Sequence, residues 1–442
     1  AIAGRKNADV PQEFLESRGI IPAMQYARIA ERALTKRNND DTGPMPRYGR
    51  TPTGKIPQVG KTFGYIAPAY ACMNEKQLAI GESTFGGHEA LVSEKGLIDC
   101  ETLTRLILER ATTARQAIIL AGQLLGKYGW CDVGEALTIA DTQEVWVLEI
   151  VGPGKDQVGA VWAAQRVPDD HAVMIPNYSI IKRIDPEDTN NFMVSDNYRQ
   201  EAVDRGFYDP GSGLPFVWQD AYAPLTAEYA TGRFWLFHET FAPNHSDWPD
   251  RHLDGDHFKG LNQYFQTVEP LSIYPFSVAP EKKIGVRDIM AFQRSVFEDT
   301  IYDITAQPQW LVPARDEDDS FNGKYMKSPL ATPFPGRDMR ELLKLTYRRP
   351  VARHRGHSGM IAQLRSWLPD PIGGVYWIFL DNPYVGPYVP MYAGNLSTHE
   401  SYQVYDPNQY DERSARWAFD FVDNLLNLKF QEAIVDVRGK RE

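Results

Sequence analysis

The sequence predicts a mixed α/β (α+β) fold of stacked layers, and three observations carry that expectation. The runs Val145 to Val151 and Val158 to Ala164 are apolar on successive residues and are joined by Gly152-Pro153-Gly154, the pattern of paired strands covered on both faces. Cys100 to Gly126 places apolar residues at helical spacing. The order along the chain, strands, two helices, more strands, a mixed region and a last helix, lacks the strict alternation of a βαβ protein.

From the start, Pro11 to about Arg37 carries Phe14, Leu15, Ile21, Met24, Ala27, Ile29, Ala30 and Leu34 among charged residues, which predicts a surface helix broken near Gly19 and Pro22. Asn38 to Gly60 is dense in Asn, Asp, Gly, Pro and Thr and predicts an irregular surface loop. Phe63 to Ala69 and Gln77 to Ile80 read as strands paired around the turn at Asn74-Glu75-Lys76, closed by Gly86-Gly87. Within Cys100 to Gly126, Leu103, Leu106, Ile107 and Ala111 form one helical face and Ala114, Ala117, Ile118, Ala121 and Leu125 another. Thr113 and Gln116 have capping-box spacing at the break between them. Tyr208 to Pro280, rich in Pro, Asp and aromatics, shows no clear periodicity. A helix is expected from Val286 to Phe297, a fully apolar strand from Val375 to Leu380, and a terminal helix from Asp411 to Val437 with Trp417, Phe421, Leu425 and Leu428 on one stripe.

The 442 residues suffice for a large core, and 43% hydrophobic residues exclude a disordered or fibrous chain. A formal charge of -11 argues against nucleic acid as a partner, because that affinity comes largely from Lys and Arg displacing counterions. No stretch approaches the roughly 20 apolar residues of a membrane span, so no membrane partner is expected. There is no charged-then-apolar leader at Ala1, which leaves a secreted or periplasmic location (signal removed) and a cytoplasmic one both open. Cys72, Cys100 and Cys131 are too few and scattered for a disulfide framework and read as buried thiols.

The sequence contains no Gly-x-Gly-x-x-Gly, Walker lysine, Gly-x-Ser-x-Gly or His-Glu-x-x-His. His245, Asp247, Asp250, His252, Asp254, Asp256 and His257 match no known metal loop and read as a solvated acidic segment, as do Asp316 to Asp319.

More informative is Met73-Asn74-Glu75-Lys76-Gln77-Leu78-Ala79-Ile80, followed by Glu82 and Gly86-Gly87. With Leu108-Glu109-Arg110-Ala111-Thr112-Thr113-Ala114-Arg115, Ala164-Gln165-Arg166-Val167-Pro168-Asp169-Asp170, Ile372-Gly373-Gly374-Val375-Tyr376-Trp377 and Tyr388-Val389-Pro390-Met391-Tyr392-Ala393-Gly394, in that order, the chain resembles the C69 dipeptidase family of N-terminal nucleophile (Ntn) hydrolases. The resemblance implies one large domain over 1–442, with an irregular insertion-rich region at about 208–280. It also implies a four-layer αββα sandwich of two mainly antiparallel sheets. The implied activity is a cysteine peptidase acting on dipeptides or short peptides. In that chemistry an N-terminal thiol attacks the peptide carbonyl, with its own α-amine, of pKa about 7.7 to 8.0, as base. A small peptide substrate is implied, no cofactor is needed and no metal is signalled. A homo-oligomer is compatible with the sequence.

The resemblance extends to site residues. In the related cholylglycine and penicillin V acylase branch, an asparagine of a similar Met-Asn-Glu motif and a second asparagine help hold substrate or oxyanion; the matching positions are Asn74 and Asn177. An amide supplies neutral N–H donors suited to that role. Arg233 is the candidate for the cation that lowers the thiol pKa. Arg166, Asp169 and Glu82 are candidate substrate contacts, an internal Arg166–Asp169 pair being the structural alternative. Family members begin with the cysteine, whereas this chain reads Ala1-Ile2-Ala3-Gly4-Arg5-Lys6, similar to the strand just after it. The nucleophile is therefore expected upstream of Ala1, or lost. Cys72 is expected to be a buried thiol instead. The alternatives are a catalytically inactive relative with a peptide-binding or assembly role, and an amidase or acylase cutting a nonpeptide amide.

Overall fold

The computed structural model describes residues 2–3, 31–37, 50–66, 70, 72–224, 228–244, 274–300, 302–354, 358–406 and 408–441. In chain order the elements are β1 (Ile2–Ala3), β2 (Glu31–Arg37), β3 (Arg50–Pro57), β4 (Tyr65–Ile66), β5 (Met73–Asn74) and β6 (Ala79–Gly86), then helices α1 (Cys100–Arg110) and α2 (Ala114–Tyr128). Next come β7 (Gly134–Ala140), β8 (Val145–Val151), β9 (Val161–Val167), β10 (Phe192–Val194), α3 (Gln200–Asp204), α4 (Trp218–Tyr222), α5 (Glu228–Phe241) and α6 (Val286–Gln293). The chain continues through β11 (Leu311–Arg315), β12 (Phe321–Lys327), α7 (Arg337–Leu343), β13 (Ser358–Gln363), α8 (Asp370–Gly373), β14 (Val375–Leu380), β15 (Val389–Tyr392), α9 (Ala415–Leu426) and α10 (Phe430–Arg441).

The mixed α/β expectation holds. An eight-stranded sheet in the order β1-β4-β5-β6-β7-β8-β9-β10 is antiparallel at every pairing. Its central strands β7 and β8 are buried along most of both faces, and the period of two sorts their residues. Ile80, Leu137, Ile139, Trp146, Leu148 and Ile150 pack on Leu103, Leu106, Ile107, Ile118 and Leu125 of α1 and α2. Each such aliphatic burial stabilises the fold by about 1.5–3 kcal/mol. On the other face, Ile66, Met73 and Ala79 pack against Tyr376, Ile378 and Met391 of the three-stranded sheet β13-β14-β15. Further along that face, Val147, Val151, Val161 and Ala163 pack against α4 and α5.

Two motifs 288 residues apart clasp the sheets together. The Gln77 side chain accepts from Arg365 N at 2.8 Å and its Nε2 donates to Asp370 Oδ1 at 3.2 Å, while Lys76 pairs with the same carboxylate. Gly373 lies so close that an added Cβ would come within 2.4 Å of Gln77 Nε2, which is why the turn into β14 holds a glycine.

The break between α1 and α2 falls where capping predicts. Thr113 Oγ1 accepts from Gln116 N, while Gln116 Oε1 accepts from the amide of Thr112, one residue earlier than a standard box requires. The turn Asp316 to Asp319 joins β11 to β12 and is exposed.

Several expectations are corrected. Glu31–Arg37 is strand, not the end of a helix, and it pairs with Arg50–Pro57 inside the stretch read as irregular loop. The cause is tertiary: Leu34 and Ile56 enter the α1 core and Arg32 meets Glu109 at 3.2 Å, contacts that outweigh weak local preference. The remainder of the expected first helix, and the His245 to His257 cluster, lie outside the described residues. The region read as aperiodic contains α5, whose Ala230, Phe234, Trp235, Leu236, Phe237 and Phe241 are all buried, so no polar face existed to reveal its period. The terminal helix is two helices, and the stripe faces outward: Phe421, Leu425 and Leu428 are exposed while Ala415, Asp423 and Leu426 face in.

Candidate active site

Strand β6 divides the chemistry between its two faces. Ile80 belongs to the helix-side core and Ala79 to the inter-sheet core, so by alternation Glu82 and Thr84 share the side of α1, and Ser83 points the opposite way. Ser83 Oγ donates to Ile175 O at 2.8 Å and accepts from Asn177 N at 2.9 Å, fixing the segment that follows residue 171 against the sheet.

Asn177 adopts φ 61°, the left-handed region that Asn tolerates because its short side chain bonds locally. Its Nδ2 donates to Thr84 O at 2.7 Å, and its Oδ1 accepts from Arg233 Nη2 at 2.9 Å. The same guanidinium nitrogen also donates to Pro176 O at 2.9 Å. Asn177 and Arg233, 56 residues apart and singled out separately in the sequence, are thus in direct contact. A fixed cation on the amide oxygen polarises the amide and strengthens its remaining N–H as a donor.

Behind this pair sits a residue the sequence analysis missed. Glu149 of β8 is fully buried and accepts from Ser179 Oγ at 2.5 Å, Ile180 N at 2.7 Å, Ile181 N at 3.2 Å and Trp218 Nε1 at 2.7 Å. It pins the chain two to four residues beyond Asn177. Burial pushes its carboxyl up to about 7 against the pull of those four donors. The available signal was the single carboxylate in the otherwise apolar run Val145-Trp146-Val147-Leu148-Glu149-Ile150-Val151.

A cavity of about 700 Å³ opens along α5, lined by Phe237, Phe241, Phe292, Ile289 and Met174. Phe237 and Phe241 follow Arg233 at intervals of four, so they continue the same helical stripe. Asp169, His171, Glu144 and Gln293 supply polar groups to its wall. Arg166 bonds Asp169 at 2.5 Å and approaches Glu144 at 3.3 Å, so the Arg166–Asp169 internal pair is present and Asp169 faces the cavity. Against the desolvation that would raise it, hydrogen bonds from Arg115 and Trp146 hold the Glu144 carboxyl below its ordinary range.

The other predicted residues lie elsewhere. Asn74 is fully buried; its Nδ2 donates to Leu108 O and Ala111 O at 3.0 and 2.9 Å, and its Oδ1 accepts from Lys76 N and Leu78 N. Both amide N–H groups cap the end of α1 and the oxygen holds the turn to Leu78, which leaves no side-chain donor for a substrate as placed. Glu82 stands on the helix side of β6, away from Asn177. Cys72, Cys100 and Cys131 are buried, and burial pushes the Cys72 thiol up to about 12, far from a nucleophile's range. Among the described residues no helix is long and apolar enough to cross a membrane.

Comparison with known proteins decides the family. The model of peptidase family C69 matches residues 61–442. The chain belongs to peptidase family C69. It is similar to a probable dipeptidase of Latilactobacillus sakei, 25% identical over 416 residues that span 90% of this chain and 73% of the relative. A probable dipeptidase B of Lactococcus lactis subsp. lactis is 27% identical over 438 residues, 98% of this chain and 78% of the relative. A probable dipeptidase of Salmonella dublin is 26% identical over 323 residues, 71% of this chain and 60% of the relative. This C69 chain therefore spans about 60–78% of those relatives' length where it matches them.

Proposed function

We propose that this C69 protein is a dipeptidase that hydrolyses its substrate by an N-terminal cysteine mechanism within an αββα arrangement. The two packed sheets and the α1–α2 layer support that architecture. The observation that carries the reading is the direct contact of Asn177 with Arg233 on the inter-sheet side of β6. Asn177 has two amide N–H groups, of which one goes to Thr84 O, and the other is the proposed oxyanion donor. Arg233 favours the thiolate and orients the amide. The three cysteines of the chain are buried, so the thiol is assigned to the amino-terminal cysteine that the family resemblance implies.

In the proposed cycle the α-amine takes the thiol proton and the thiolate attacks the peptide carbonyl carbon. The amine then returns the proton to the leaving amine as the C–N bond breaks. Water, deprotonated by the same amine, hydrolyses the thioester and regenerates the thiol. The apolar cavity beside α5 suits a hydrophobic side chain of the substrate, with Asp169 on its wall available to an ammonium group.

The test is hydrolysis of a dipeptide panel by the mature protein with and without a thiol alkylator, alongside Arg233→Lys. Alkylator-sensitive turnover that Arg233→Lys weakens supports the reading. Binding of dipeptides without turnover would establish an inactive peptide-binding relative, and turnover of nonpeptide amides alone would establish an acylase.

A further inference from the structure

Helix α9 turns its apolar face outward and a carboxylate inward. Asp423 is buried and accepts from Asn382 Nδ2 at 2.8 Å, with Ala415 and Leu426 buried on the same side. Trp417, Phe421, Leu425 and Leu428 follow one another at intervals of four, four and three, which sets them in one line along the opposite side. Trp417 carries that line past the start of the helix: its ring meets those of Tyr405 and Tyr410 at centroid distances of 6.1 and 5.9 Å, and its Nε1 donates to Asp406 O at 3.1 Å. The result is a continuous ridge, aromatic at the start of α9 and aliphatic at its end. We propose that two copies of this chain pair through this ridge about a two-fold axis, with their α9 helices antiparallel.

The first argument is area. A surface helix ordinarily turns its apolar stripe to the core, so an outward stripe calls for a cover. Tyr405, Tyr410, Phe421, Leu425 and Leu428 are 45%, 60%, 55%, 48% and 69% exposed. On a scale of roughly 150–250 Å² per large side chain, those fractions leave about 500 Å² of apolar surface in water. The largest patch on a monomer is about 300–600 Å², so the ridge lies in the upper part of that range. Homodimer interfaces are about 65% apolar; with a polar rim the ridge therefore buries about 800 Å² per copy, the size of a standard stable interface.

The second argument is charge. At 3.6 residues per turn the outward third of α9 holds Trp417, Ala418, Phe421, Asn424, Leu425 and Leu428, all uncharged, while Asp420 and Lys429 stand at its edges. Interfaces have that anatomy, with charge depleted at the core and restored at the rim. Antiparallel pairing sets the aromatic end of each ridge against the aliphatic end of the other, so one patch is its own complement, as a closed two-fold contact requires. Each copy carries a formal charge of -11, so added salt screens the repulsion between copies and tightens the pair, the reverse of an ion-paired interface.

Light scattering and sedimentation of the full chain, from low to high micromolar concentration, test the pairing. The ridge predicts a dimer, or an even-numbered assembly built from it, that salt strengthens. Phe421→Asp, at an exposed position in the middle of the ridge, should halve the mass and raise the dissociation constant by about a hundredfold or more, while Phe421→Leu keeps the pair. A monomer throughout the range would overturn the proposal, as would an assembly that Phe421→Asp leaves intact. Oxidative footprinting of the wild type needs no variant and reads the ridge even if Phe421→Asp fails to fold. Labelling of Phe421 and Leu428 should fall several-fold as concentration drives pairing. Labelling that stays high in the assembly would put the contact elsewhere, and labelling already low in the monomer would show that the chain covers its own ridge; either result overturns the proposal.

Discussion

Replacing Glu149 by Gln probes how the Asn177 segment is held. A neutral glutamic acid can keep every contact: Oε1 accepts the Ile180 and Ile181 amides, Oε2 accepts from Trp218 Nε1, and the Ser179 hydroxyl, which donates to the ionised form, turns to accept the carboxyl proton. Glutamine puts an NH₂ where Oε2 stood. The Ser179 hydroxyl can rotate to accept, but the indole N–H only donates, so one buried donor is orphaned at a cost of about 1–3 kcal/mol. Opposing this is linkage. The Glu149 carboxyl is pushed up to about 7 in the fold against an ordinary 4.5, a difference worth about 3 kcal/mol. A raised carboxyl pKa means that the folded state holds the proton longer. Its stabilisation is therefore full below about pH 4.5 and is lost as pH climbs through 7. Urea unfolding at pH 5 should find Glu149→Gln less stable than wild type by about 2 kcal/mol. At pH 8 the gap should close or reverse, since only the wild type has lost the protonated form. Comparing the two proteins isolates Glu149 from Asp423, whose carboxyl burial also raises to about 7. A gap that stays constant or widens with pH would refute the reasoning, because the four donors would then be holding an ionised carboxylate comfortably.

Further outcomes follow from the same geometry. Arg233→Lys keeps the charge but not the contact to both Pro176 O and Asn177 Oδ1, so kcat for dipeptides should fall about tenfold or more while the acid limb of the pH profile moves upward. Cys72→Ala should retain turnover and alkylator sensitivity, since that thiol is buried and held near 12; loss of sensitivity would move the nucleophile to Cys72. Gln77→Ala removes bonds to Arg365 N and Asp370 and should lower stability by about 1–3 kcal/mol without changing KM, as read by urea midpoint and steady-state kinetics. Leu103→Ala, at a fully buried position of α1, should cost about 2–5 kcal/mol in the same unfolding assay.

What the sequence made legible follows from where local pattern and burial agree. The break between α1 and α2 was readable because Thr113 and Gln116 act within four residues, and the β8–β9 pair because both faces are apolar. Helix α5 was not, because burial all round erases the amphipathic period. Strand β2 was misread because Arg32 and Leu34 become strand residues only through Glu109 and the α1 core. The outward stripe of α9 shows that helical spacing of apolar residues fixes a face but not which way it turns. At the candidate site, resemblance picked out Asn177 and Arg233, yet their contact is tertiary and only coordinates display it. Asn74 stood in an equally clear motif, and its amide proved to cap α1. Glu149, a single carboxylate in an apolar strand, was the overlooked signal.

The central claim is that the Asn177 amide, braced by Arg233, stabilises the transition state of dipeptide hydrolysis. Asn177→Gly preserves the left-handed backbone at φ 61° and removes only the amide, so it separates chemistry from folding. Steady-state hydrolysis by that variant should show kcat lower by about a hundredfold or more, while the stability read from the urea midpoint falls by no more than about 1–3 kcal/mol, the cost of the lost Thr84 and Arg233 hydrogen bonds. Turnover equal to wild type in a folded Asn177→Gly protein would contradict the account.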